Sequence, residues 1–345
     1  MKGRRAACGS LLIVTLWMVT ILSVLSIAIA RSLSLEVRLT RYRLARQQAK
    51  ALARGGVYLA MQRLKQDATP AYDWLGDRWA LPPSSPSSGS QASLDNPPPW
   101  VIDVPAEGGM DQTNQRRVII RITDEERRVP LNGLAALLPL QRQVWFNAVA
   151  ALLNSQELAG RVADYIDGDT TPYQDPPMPQ PVGLESDDRR VPPYEAKNAP
   201  MAARAELLEI PGMADVPKPA LEKFLGLTSL DAGGALNINT VSPEVLVALG
   251  FDANRAQMLQ ACRTEHGHVF RSLGTIEQEI TDCLGGTLTQ TEKDALGNGA
   301  TFGITSTHFT VVSEGAIARP EVHVRVEAVL ERGANDMTIL SWREG

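Results

Sequence analysis

Six acidic residues are the strongest chemical feature of this 345-residue sequence. Asp164, Asp167 and Asp169 stand at i, i+3 and i+5, and Glu185, Asp187 and Asp188 follow across a proline-rich excursion. Carboxylates drawn together repel one another unless they are protonated or bridged by a cation. Oxygen donors on a flexible loop suit a hard ion with roughly seven ligands, which selects Ca2+ over zinc or a transition metal. The pattern is not the twelve-residue calcium loop with its terminal bidentate glutamate, and without an ion it reads as a solvated acidic loop. An ion here would tie residues 170–188 back onto a helix end. Its role would be structural, because no general base is held beside an open water position.

Other chemistry is sparse. Four histidines and three cysteines do not support a rich zinc site. His266 and His268 flank Gly267 in a loop and read as surface residues. Gly-x-Ser-x-Gly, His-Glu-x-x-His and phosphate-binding glycine loops are absent, so no catalytic residues are assigned. The segments 207–225 and 236–249 have the form of helix-hairpin-helix elements, which elsewhere hold nucleic-acid backbones through hairpin amides. Glu206, Glu209, Asp215, Glu222, Asp231 and Glu244 surround them, and the net charge is −5, which excludes nucleic acid as a partner.

The acidic residues fall in a block of short helical periods. These are 134–138, 143–153, 156–166, 204–208, 219–224, 243–249, 252–262 and 272–280. Before this block, 101–104 and 116–123 alternate like strands; after it, 308–314, 321–330 and 336–342 do the same. The simplest arrangement is α+β: one antiparallel sheet interrupted by a helical unit over 131–300. Residues 81–99, rich in proline and serine, read as an exposed loop.

The sheet needs a helix to cover it, and the amino-terminal third supplies one. Leu11–Ala30 carries no charge, follows Lys2, Arg4 and Arg5, and is long enough to cross a bilayer. Thr15, Thr20, Ser23 and Ser26 can return their hydroxyls to the helix backbone. No proline interrupts the chain from Ser10 to Asp67, which as one helix would run about 87 Å. Positions 45, 49, 52, 53, 56, 57, 60 and 64 keep a spacing of three and four, so one face of the outer half is buried.

A spanning helix that becomes amphipathic without a break resembles the stem of type IV pilins and type II secretion pseudopilins. The large minor pseudopilin K family is the best match, through Leu131-Asn132-Gly133-Leu134, Asp164–Asp169 followed by Pro172, Gly183–Asp187, Leu236-Asn237-Ile238-Asn239-Thr240 and Phe309–Glu314. Val14 stands where pilins carry a glutamate that pairs with the preceding subunit, a departure this family shares. The resemblance implies a pilin-like helix (10–67) on a sheet built from 68–130 and 301–345. Between them it implies an inserted helical domain of sterile-alpha-motif-like or helix-hairpin-helix-like packing.

It further implies a leader (1–9) cut after Gly9 by prepilin peptidase, a methylated Ser10, and structural Ca2+ in the helical domain. The chain would be a non-enzymatic tip subunit of the pseudopilus, meeting minor pseudopilins of the I and J types through its helix and pilin-like domain. It would sit in the inner membrane with its bulk in the periplasm. With Cys8 removed in the leader, Cys262 and Cys283 remain as either a disulfide or two buried thiols. The competing reading is a membrane-anchored periplasmic binding protein or hydrolase.

Overall fold

The computed structural model describes residues 8–67, 69–82, 98–105, 115–135, 139–174, 180–230, 235–296, 301–333 and 336–345. Most of the leader and most of the proline- and serine-rich stretch lie outside the described residues, as does Asp231.

Helix α1 runs unbroken over Cys8–Lys65, 58 residues, with Gly9 and Ser10 in its first turn. Its apolar first part is exposed throughout, from Leu12 to Ile29. Thr15, Thr20 and Ser23 donate their hydroxyl protons to the carbonyls of Leu12, Trp17 and Val19. This helix is long and apolar enough to cross a membrane. Beyond it one face turns inward: Ala45, Ala49, Ala53, Val57, Ala60 and Leu64 are buried at intervals of three and four.

That face lies on a five-stranded antiparallel sheet. The strands are β1 (Trp100–Val104), β2 (Arg116–Asp124), β3 (His308–Ala318), β4 (Glu321–Arg332) and β5 (Met337–Glu344), and their order in the sheet is their order in the chain. Burial alternates strictly along β3, with Phe309, Val311, Ser313, Gly315 and Ile317 facing α1. Val322, Val324, Val326 and Ala328 do the same on β4.

Helix and sheet approach closely because small residues meet. A Cβ on Gly56 would lie 2.1 Å from Ser313 Oγ and 2.7 Å from Val118 Cγ1, and one on Gly315 would lie 2.0 Å from the Ala49 carbonyl oxygen. Trp79 closes the lower end of this core, edge-on to Phe309 at 5.2 Å.

The helical unit is inserted between β2 and β3 without disturbing their pairing: Asp124 sits opposite Phe309, and Thr123 opposite Thr310. It contains α2 (Pro139–Leu153), α3 (Gln156–Ile166), α4 (Lys218–Leu227), α5 (Pro243–Ala248), α6 (Ala253–Thr264), α7 (Ile276–Leu284) and α8 (Gln290–Leu296). Trp145, Phe146, Val162, Phe224, Ile238, Leu246 and Phe270 build a core separate from that of the sheet. A disulfide joins Cys262 of α6 to Cys283 of α7.

The helices expected at 134–138 and 204–208 are tight 3-10 turns where described, over Leu131–Ala135 and Arg204–Glu209, and residues 136–138 lie outside the described residues ahead of the Pro139 that opens α2. Helix α8 has no counterpart in the sequence pattern. It is short and polar, and it is held through the buried Glu292, which pairs with Arg255.

Candidate metal centre

Helix α3 begins with Ser155 accepting the Leu158 amide proton, and it ends at Ile166, where Asp167 takes extended geometry. The cap places Asp164 and Asp167 at the carboxyl end of the helix, with Asp164 fully buried and Asp167 nearly so. Negative charge is unfavourable at that end of a helix dipole, and a cation is favoured there.

The chain then makes its excursion and returns. The Tyr173 amide donates to Asp164 Oδ1 at 2.7 Å, and the Val182 amide donates to the Tyr173 carbonyl at 2.9 Å. Gly183 passes so close that a Cβ there would lie 2.0 Å from Asp164 Oδ2. The return delivers Glu185, and one oxygen each from Asp167, Asp169 and Glu185 lies within 4.8 Å of the others.

Asp187 and Asp188 lie outside that group of three. Asp187 belongs to a two-residue strand paired with Tyr194–Glu195, and its Oδ1 accepts the Arg189 amide proton at 3.0 Å. Asp188 is exposed. The same hairpin brings in two residues that carry no acidic signature, Tyr194 and Asn198.

The negative charge is compensated only in part: Arg142 draws Asp167 down, and several polar atoms are left without a hydrogen bond. Asp164 Oδ2, Asp167 Oδ1, both oxygens of Glu185, the Tyr194 hydroxyl and Asn198 Oδ1 are buried without hydrogen-bond partners. Burial, with the charges of Glu185 and Asp167 behind it, pushes Asp164 up to about 7 against the Tyr173 amide. Burial and the charge of Asp169 push Asp167 up to about 6. Burial and then Asp167 hold Glu185 above its ordinary value, while the Asn198 side chain faces it. Tyr194 rises to about 12 through burial, Asp164 and Glu185.

Unpartnered carboxylate and amide oxygens at a helix carboxyl terminus form a donor set that fits a hard cation. Asn198 and Tyr194 were invisible to sequence reasoning, because neither lies in a charge cluster or a periodic segment.

No protein-family model matches this chain, and no curated protein does. Among solved structures it is similar to a chain in the crystal structure of the GspK-GspI-GspJ complex from the enterotoxigenic Escherichia coli type 2 secretion system. The TM-score is 0.59 at 18% identity, over 89% of this chain and 99% of that one. At that identity the likeness is one of fold.

Proposed function

We propose that this chain is a minor pseudopilin of the K type, a non-catalytic subunit at the tip of a type II secretion pseudopilus. The observation that carries the reading is the inserted helical bundle on a pilin-like helix and sheet, an architecture similar over nearly its whole length to a chain of the minor pseudopilin complex. A bundle of this bulk is hard to accommodate inside a regular helical filament, and at the tip it obstructs nothing. Val14, in place of a carboxylate able to pair with a neighbour's amino terminus, suits a subunit with none stacked above it.

In this reading α1 anchors the chain in the inner membrane with its first residues cytoplasmic and its bulk periplasmic. Prepilin peptidase cuts between Gly9 and Ser10, and the new amino terminus is methylated. The stem and pilin-like sheet meet minor pseudopilins of the I and J types. Asp164, Asp167, Asp169 and Glu185 hold a structural Ca2+, with Asn198 as a further oxygen donor and Asp187 and Asp188 at the periphery. The ion would supply the positive charge that the unpartnered oxygens require.

The test is the intact mass of the chain recovered from membranes with and without prepilin peptidase. A methylated product beginning at Ser10, formed only when the peptidase is present, is expected. A chain that keeps its Met1 start in both would overturn the proposal.

A further inference from the structure

The turn after α1 contains a second acidic cluster, far from the first in sequence. Asp67, Asp73 and Asp77 each place a carboxylate oxygen within 4.8 Å of the others. Asp73 is fully buried, Asp77 is 7% exposed and the Asp67 side chain is also 7% exposed. The ion pairs bring one cation to the three: Arg332, at the end of β4, bonds Asp67 Oδ2 at 3.0 Å and Asp73 Oδ2 more closely. Three carboxylates and one guanidinium leave two negative charges in a buried place.

Hydrogen bonding does not discharge the cluster either. Asp73 Oδ2 accepts the Ser306 amide proton, but its Oδ1 is buried with no partner. Asp67 Oδ1 accepts the Thr69 amide proton at 3.0 Å and Asp77 Oδ1 accepts the Thr69 hydroxyl at 2.9 Å, so Asp73 Oδ1 is the oxygen of the three carboxylates left unpaired. A fully buried carboxylate oxygen left unpaired beside two further carboxylates is costly unless a cation reaches it.

We infer that Asp67, Asp73 and Asp77 form a site for one divalent hard cation of calcium size, with Thr69 beside it, fastening the turn after α1 to the ends of β3 and β4. The charge of a divalent ion equals the deficit. Carboxylate and hydroxyl oxygens are its donors, and a spread of up to 4.8 Å is twice a Ca–O distance of about 2.4 Å. The inference does not depend on the functional reading above, nor on the cluster at α3.

The experiment uses the full chain in detergent, stripped with chelator and titrated with Tb3+, with tryptophan-selective excitation and Ca2+ as competitor. Trp74, whose amide donates to Asp77 Oδ2, is the sensitiser beside the site. Luminescence that Ca2+ displaces is expected. Asp77→Asn, which keeps an acceptor for Thr69, should weaken Ca2+ competition at this component at least tenfold, and Asp67→Asn should act alike. Asp169→Asn, in the cluster at α3, should leave the component intact. Wild-type luminescence in Asp77→Asn and Asp67→Asn proteins whose metal-free melting matches wild type, or a signal lost only in Asp169→Asn, would overturn the inference.

Discussion

Substituting Gly315 by alanine tests whether small residues set the distance between α1 and the sheet. The added Cβ would stand 2.0 Å from the Ala49 carbonyl oxygen and 2.9 Å from the Ala53 nitrogen, both of them backbone, so no rotamer can relieve the contact. The helix must lift by about 1 Å, and a gap of that size forfeits a quarter to a half of the dispersion energy across the interface. Overpacking costs about 1–3 kcal/mol, with the upper end expected against a hydrogen-bonded helix, less roughly 0.5–1 kcal/mol gained by alanine over glycine in a strand.

The net loss is about 2 kcal/mol, or about 4–8 °C in melting temperature for a unit of this size. Thermal denaturation followed by near-ultraviolet circular dichroism reads it, because Trp79 and Trp100 lie in this core. Gly55→Ala is the control: a Cβ there meets nothing within 4 Å, and helix propensity predicts a gain of up to about 1 kcal/mol. If Gly315→Ala melts with the wild type, or if the two variants shift alike, the close approach is not what holds helix to sheet.

Three other outcomes are expected. Cys262→Ser, which opens a loop of 21 residues, should destabilise the bundle by about 3 kcal/mol in denaturant titrations, with the sheet transition unchanged. Chelation of Ca2+ should lower the melting temperature of the wild-type bundle but not of Asp169→Asn, and equal shifts in both would argue against an ion at α3. Burial, reinforced by the charge of Glu126, raises Asp124 well above the ordinary carboxylate value. Its folded pKa therefore exceeds its unfolded one, so its contribution to stability is present below about pH 4 and is lost as pH rises through the folded value. Asp124→Asn should remove that component of the slope in unfolding free energies measured from pH 4 to 8.

The long-range plan of this molecule was legible because it rests on periodicity. Ala45, Ala49, Ala53 and Val57 declare a buried helix face, and Phe309, Val311 and Val322, Val324 declare strands. That acidic residues distant in sequence would meet was legible for a different reason, since like charges need compensation wherever the chain puts them, and Asp167, Asp169 and Glu185 do come together. Asp187 escaped this logic because the hairpin with Tyr194 turns it to its own amide neighbour, a pairing no charge count reveals. The trio at 67, 73 and 77 was missed because its spacing follows no period. Its one ion-pair partner among the described residues, Arg332, lies 259 residues beyond Asp73. Helix α8 was missed because its stability comes from a partner, Arg255, and not from its own seven residues.

The two cores are separate apolar clusters, and what joins them is polar. Where the chain leaves the sheet, the Glu125 amide donates to the His308 carbonyl at 3.0 Å, closing the base of the insertion. Asp124 Oδ2 then accepts the hydroxyls of Thr240 at 2.5 Å and Ser306 at 2.7 Å, and Asn237 Nδ2 donates to Ser306 Oγ at 2.7 Å and to the Asp73 carbonyl at 3.1 Å. Thr240 and Asn237 belong to the bundle, Asp124 to β2, and Asp73 to the turn below α1. An apolar seam could slip by a side chain at little cost. Buried hydrogen bonds cannot, because each has a direction and each one left unmade costs about 1–3 kcal/mol. The bundle is therefore set at one angle to the stem by groups from three distant parts of the chain.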